Sequence, residues 1–277
     1  MLPDKQPEEA NDVCALPLVR RVAAMLDFDA ERSQNGNALP RGWHVFLFAV
    51  PTPQSRLRGD GVAGLGIALP DVGLPRVVLG GKRIRFNADI PIGSAMRRVS
   101  RLESVTPKSA QSGRIVIATV KHEIFTEGGG EPAIVEHLDY IFREAAETAP
   151  QPTSPLPKHV SDEIRPDIVR EVIPDETMLF RYSSITANPH RIHYDHPYAT
   201  KVEGYRALVV NGGLPALLLT ELFREESGRE PQLVTTRNVG LLFCNELMRL
   251  KALKRPDQWL LWAEDSAGRR AVEAKIE

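Results

Sequence analysis

The chain has 277 residues, enough for one large domain or two ordinary ones, and its 42% hydrophobic and 26% charged content excludes wholesale disorder and fibrous repeats. Lys+Arg number 35 against 36 Asp+Glu, a formal charge of −1, which argues against nucleic acid held by a global positive field. Two cysteines, Cys14 and Cys244, make no disulfide framework, no apolar leader opens the chain, and no run approaches the roughly 18 apolar residues of a membrane span. A cytoplasmic protein with no membrane partner is expected.

Residues 1–12, with two prolines and four acidic residues, read as a disordered tail. From Cys14 to Asp29 the apolar residues Val19, Val22, Ala23 and Leu26 recur at helical spacing. A second apolar run, Trp43 to Val50, stops at Pro51 and Pro53, and the Gly- and Pro-rich stretch from Leu57 to Gly81 reads as a long loop. Strands are predicted at Lys82–Phe86, Ala95–Val105, Ser112–Ile124 and Ala133–Phe142, with turns at Asp89–Gly93 and Glu127–Gly130. Four prolines between Glu144 and Pro157 mark a linker, placed at 146–160, between an N-terminal domain (13–145) and a C-terminal one (161–277).

In the second half, Phe180-Arg181-Tyr182-Ser183 alternates like a strand, and Leu208–Val210 is a short strand. Gly212 to Ser227 is the strongest helix: Leu214, Leu217, Leu218, Leu222 and Phe223 form a broad apolar face, and Gly228 ends it. Strands follow at Val234–Phe243, Glu246–Ala252, Trp259–Asp265 and Ala271–Ile276. Each half thus runs from a helix into a meander, a faint internal duplication with a weaker helix in the first copy. A curved antiparallel sheet around one apolar helix buries that helix completely, and two such units can pack edge to edge.

The densest polar cluster runs from Thr186 to Ala199, where three of the seven histidines fall within seven residues beside Arg191 and Asp195. A solvated loop is one reading. A metal site made of His190, His193, Asp195 and His196 is disfavoured, because Pro189 and Pro197 break the helix that such a spacing needs. Gly59-x-Gly61-x-x-Gly64 spells a dinucleotide fingerprint but follows no strand and opens no helix, so a nucleotide fold is rejected. No G-x-S-x-G occurs, and Cys244 reads as a buried structural thiol.

His193-x-Asp195-x-x-x-Ala199 resembles the end of the MaoC-type hydratase signature D-x-N-P-x-H-x-D-x-x-x-A. With Trp43-His44, Arg83–Phe86, Val120–Ile124, Phe180–Ser183, Tyr198–Tyr205 and Leu261–Asp265, most of the chain resembles the branch of hydroxyacyl-thioester dehydratases and of mesaconyl-CoA and itaconyl-CoA hydratases. Five residues before His193, the acidic position of that signature is Asn188, and the His-Gly at the start of its central helix is Asn211-Gly212 here.

The resemblance implies an α+β double hotdog: two curved antiparallel sheets, each around a helix, with the N-terminal helix reduced. It implies an acyl-CoA hydratase acting on a short branched dicarboxylic enoyl-CoA, as in itaconate degradation. A 3-hydroxyacyl-thioester dehydratase on coenzyme A or acyl carrier protein, or a non-catalytic thioester-binding module, are the alternatives. Under this reading His193 moves the protons, since an imidazole titrates near neutrality. Asn188, which cannot be a base, holds the water, and Asp195 is the nearest carboxylate to assist or orient His193. The amides of Gly212 and Gly213 stabilise the thioester oxygen at the helix amino end, although a tight turn into the helix explains the same glycines. Substrate contacts are assigned to Arg191 or Arg181 as a carboxylate clamp, with Asn211 and Tyr198. Lys82, Arg83, Arg85, Arg97, Arg98 and Arg101 are either phosphate contacts or a solvated strand face. No metal or cofactor is expected beyond coenzyme A as part of the substrate, and a homodimer is among the expected states.

Overall fold

Alternation of inward apolar and outward polar residues builds the strands. In a computed structural model describing residues 6–62, 67–69, 71–74, 76–110, 113–144 and 165–277, Ile84 and Phe86 are buried while Arg83 and Arg85 are exposed. The first half contains β1 (Glu8–Val13), α1 (Leu16–Met25), β2 (Arg76–Phe86), β3 (Ala95–Ala110), β4 (Gly113–Thr126) and β5 (Ile134–Arg143). The second contains β6 (Ile168–Val172), α2 (Glu176–Ile185), α3 (Gly213–Ser227), β7 (Leu233–Asn238), β8 (Met248–Leu253), β9 (Trp259–Glu264) and β10 (Arg270–Ile276). No helix among the described residues is long and apolar enough to cross a membrane.

These ten strands form one antiparallel sheet in the order β1-β3-β4-β5-β2-β7-β10-β9-β8-β6. The two halves have the same topology, because adding five to each strand number of the first gives the second. The duplication is therefore structural, and the halves meet edge to edge where β2 pairs with β7, from Gly81 opposite Arg237 to Arg85 opposite Leu233.

Several expectations are corrected. Glu8–Val13 is not tail but an edge strand held by β3, and the opening strand of the second half, β6, has no counterpart in the sequence reading. Both are short and half-exposed, so their order comes from the ladder and not from apolar patterning. Phe180–Ser183 is not a strand. It lies inside α2, whose start is capped by Asp175 accepting the Met178 amide at 2.7 Å, and whose buried residues Leu179, Tyr182 and Ser183 follow helical spacing. The loop ends at Arg76, earlier than Gly81, and β7 ends at Asn238. The expected linker at 146–160 lies outside the described residues.

The core follows from α3. Leu214, Leu217, Leu219, Leu222 and Phe223 are buried, Pro215 sits in the first turn where its missing N–H is no loss, and Gly228 closes the helix at φ 65°. Glu221, on the same rod, accepts from Trp43 Nε1 at 2.8 Å and from Arg224, so its buried carboxylate is fully engaged. α3 packs on β8, β9 and β10. The reduced helix of the first half, α1, packs instead on α2 and on the 3₁₀ turns at Ala30–Arg32 and Trp43–Phe46.

At the seam a Cβ on Gly81 would lie 2.4 Å from the Thr236 carbonyl oxygen. Gly81→Ala is accordingly expected to lower stability by about 1–3 kcal/mol, read as an earlier cooperative melt. An unchanged melt would mean that the seam can open without penalty.

Candidate active site

Backbone geometry delivers the polar loop to the amino end of α3. α2 ends at Ile185, Ala187 with a φ of 50° turns the chain, and Asn188 Oδ1 accepts the His190 amide at 3.1 Å. Arg191–His193 then form a 3₁₀ turn. The following segment is pinned on both sides: Val209 pairs with Phe243, and the Val210 amide donates to the Leu242 carbonyl at 2.9 Å. From Val209 to Gly212 is three residues, at most roughly 10 Å of chain.

His193 is 7% exposed, and its Nδ1 lies 2.7 Å from the Val209 carbonyl oxygen. A carbonyl only accepts, so Nδ1 carries the proton and Nε2 keeps a free lone pair. Burial, opposed by that hydrogen bond, lowers the imidazole to a pKa of about 4, so it is neutral at physiological pH. His190 stands edge-on to it with ring centroids 5.5 Å apart, and it too is lowered by burial, against the attraction of Asp60 and Glu203.

At the amino end of α3 the Gly212 and Gly213 amides have no protein acceptor among the described residues. They point, with the helix dipole, to a place where negative charge is stabilised. Gly213 must be glycine for a reason that the sequence hides: a Cβ there would lie 2.2 Å from the Tyr182 hydroxyl. Tyr182 is buried edge-on against Phe46, so α2 brings a phenol to the same helix end. No periodicity marks it, since its partner is 31 residues away; only the correct assignment of α2 as a helix would have.

The other expected residues are placed differently. Asp195 does not orient His193: its Oδ2 accepts from Arg191 Nε and Nη2 at 3.0 and 2.8 Å, and its Oδ1 accepts the Tyr198 amide at 3.1 Å. That amide, with the Arg191 guanidinium, holds the carboxyl below its usual range. Arg191 is equally committed, donating also to the Gly59 carbonyl and lying 4.0 Å from the centre of the Tyr198 ring, so it is a brace and not a free clamp. Tyr198 donates to Glu203 at 2.9 Å, and the 2% exposed Asn211 donates to Ser183 Oγ at 3.2 Å. Both fix the loop and helix ends in place of facing substrate. Arg181, partly buried on α2, has no hydrogen-bond or ion-pair partner among the described residues. Asn188 keeps its Nδ2 unengaged on the same terms.

The glycine fingerprint has a use unrelated to nucleotides. Gly61, at φ 85°, packs so closely on the loop that a Cβ would meet the Pro189 carbonyl at 2.2 Å, and the Arg191 amide donates to the Asp60 carbonyl at 2.9 Å. Gly64 lies outside the described residues. Among the described residues no three His, Cys, Asp or Glu side chains, His190, His193, Asp195 and His196 included, are grouped to hold a metal ion.

A buried neutral imidazole tied to the segment that opens a sheet-wrapped helix, in a duplicated hotdog, suits the proton transfers of a hydratase or dehydratase. A family model described as hydroxyacyl-thioester dehydratase type 2 matches residues 42–244. The chain is 36% identical over 270 residues to mesaconyl-C(4)-CoA hydratase of Chloroflexus aurantiacus, covering 98% of this chain and 94% of that one. It is 24% identical over 243 residues to the mitochondrial hydroxyacyl-thioester dehydratase type 2 of Schizosaccharomyces pombe, 80% of each. The fold is shared with a MaoC-like dehydratase from Phytophthora capsici at a TM-score of 0.73 and 12% identity, over 99% of this chain and 95% of that one. The chain belongs to the hydroxyacyl-thioester dehydratase type 2 family, and it is a hydro-lyase.

Two outcomes follow from this geometry. Asp195→Asn is expected to keep kcat within about tenfold of wild type in steady-state assays, because Asp195 steadies the loop and does not touch His193; a loss as deep as that of a His193 variant would return Asp195 to proton transfer. His44, His122 and His193 all sit near a pKa of about 4 because they are buried. Unfolded histidines protonate near 6.5, so their contribution is complete above that pH and is lost as pH falls toward 4. Denaturant titration at pH 5 should therefore show stability lower than at pH 7 by up to about 2 kcal/mol per buried histidine; equal stability at both would mean that the rings are hydrated in solution.

Proposed function

We propose that the protein adds water to a short branched dicarboxylic enoyl-CoA of the mesaconyl-CoA or itaconyl-CoA kind, in the cytoplasm, with coenzyme A entering as part of the substrate. The observation that carries this reading is His193, whose Nδ1–H is held by Val209 so that Nε2 alone is basic, next to free amides at the start of α3. Water, held by Asn188 Nδ2, loses a proton to Nε2 as its oxygen bonds to the β-carbon. The double-bond electrons move toward the thioester oxygen, which the Gly212 and Gly213 amides stabilise. The imidazolium then returns its proton to the α-carbon, and the ring is neutral again. Arg181, free on α2, is available to the anionic groups of the substrate. The 36% identical relative named for mesaconyl-C(4)-CoA hydration supports the acyl group, and a role in itaconate breakdown belongs to the same proposal.

The family match also favours a second reading, the reverse elimination on a 3-hydroxyacyl thioester, which uses the same groups in the opposite order. A panel of enoyl-CoA and 3-hydroxyacyl-CoA thioesters, followed by absorbance of the conjugated thioester, decides between them. Loss of absorbance is expected with branched dicarboxylic enoyl-CoA, and His193→Gln should lower kcat roughly 100-fold or more with an unchanged melt. Undiminished hydration by His193→Gln, or activity confined to hydrolysis of saturated thioesters, would overturn the mechanism.

A further inference from the structure

The first half carries a second polar centre that the chemistry at His193 leaves unused. His44, on the 43–46 turn, is 3% exposed, yet neither ring nitrogen has a hydrogen-bond partner among the described residues. Its Nε2 lies 3.9 Å from Glu136 Oε1, and Lys82 Nζ lies 3.4 Å from the same oxygen. His122, whose Nδ1 is 2.8 Å from Ser100 Oγ, and Arg98, whose Nε is buried without a partner among the described residues, also interact electrostatically with Glu136. Tyr140 and Asp12 approach Arg98 as well. A small cavity lined by Leu39, Arg41, Phe86, Ile90 and Ile134 reaches the cluster at His44, so the imidazole is not enclosed on every side.

Strand register explains this gathering. Ser100, His122, Glu136 and Ile84 stand opposite one another across β3, β4, β5 and β2, and therefore share the inner face. Lys82 is on that face opposite Thr236, and two residues along β7 is Asn238, whose side-chain amide would lie 3.2 Å from a Cβ on Gly212. A polar track thus leads from the amino end of α3, past Asn238 and Thr236, to Lys82 and its cluster. Asn238 to Thr236 spans about 7 Å of strand, comparable with an extended four-carbon acyl group.

Buried polar atoms are almost always paired, and unpaired ones mark an absent partner or a working role. Here three unpaired nitrogens, two on His44 and one on Arg98, stand with one unpaired carboxylate oxygen, Glu136 Oε1, so nitrogen is in surplus and an anion would complete the set. We propose that Lys82, Arg98 and His44 form a subsite for the free carboxylate of a dicarboxylic acyl group, which competes with Glu136 for the same cations. The inference rests on the hydratase reading above and supplies the clamp that Arg191 cannot, its guanidinium being held by Asp195.

Succinyl-CoA and butyryl-CoA are saturated four-carbon thioesters that differ by a terminal carboxylate, so their affinities read the subsite without turnover. Calorimetric titration of the full chain should favour succinyl-CoA by about tenfold or more. Lys82→Met should bring that ratio toward one, and Glu136→Gln should raise it by removing a competing anion. Opposite signs cannot both arise from misfolding, and if Lys82→Met does not fold, Glu136→Gln alone decides. A wild-type ratio near one, a ratio unmoved or lowered by Glu136→Gln, or a ratio collapsed by Arg181→Met in place of Lys82→Met would overturn the proposal. Hydration of crotonyl-CoA by a protein with no carboxylate preference would sink the subsite and leave the reaction standing; no hydration of any enoyl-CoA would sink the reaction.

Discussion

The site depends on the hydrogen bond from His193 Nδ1 to the Val209 carbonyl. It does three things at once. It selects the tautomer, satisfies a buried backbone acceptor, and ties the 3₁₀ turn at Arg191–His193 to the segment that runs directly into α3. The ring and the helix amides then belong to one rigid unit. Asp195, Arg191 and Tyr198, which chemistry alone would enlist as reactants, form the stack that keeps this turn in place.

Two copies of one topology have been filled in different ways. In the second half the sheet closes on α3, an apolar rod whose single buried carboxylate is answered by Trp43 and Arg224. In the first, α1 lies against α2, and the inner face receives the 43–46 turn with His44. Polar side chains at Ser100, His122, Glu136 and Lys82 occupy the place of a helix. An apolar core needs only volume and patterning, whereas a buried polar one needs each partner supplied, and that is where His44 stands out.

Glycines illustrate how a short motif records closeness without naming the neighbour. Gly59-x-Gly61-x-x-Gly64 spells a motif in which a phosphate approaches the backbone, and a close approach does occur, but to the Pro189 carbonyl of the loop that carries His193. Gly213 is small for the Tyr182 hydroxyl, and Gly81 for the carbonyl of a neighbouring strand.

What the amino-acid order determined by itself was local: the apolar face of α3 and its glycine stop, the alternation at Ile84 and Phe86, the hairpin turns, and the motif that singles out His193. Those signals survive in a single strip of chain because propensity and periodicity are properties of near neighbours. The tertiary structure decided what near neighbours cannot. β1 and β6 are strands because another strand completes their hydrogen bonds, and Tyr182 reaches the amino end of α3 because α2 is helical. Lys82 turns inward to Glu136 while Arg83 and Arg85 face solvent, a choice set by register against β5 and β7. Hydrogen bonds and charges act between atoms a few ångströms apart, and folding alone brings residues that are dozens of positions distant within that range.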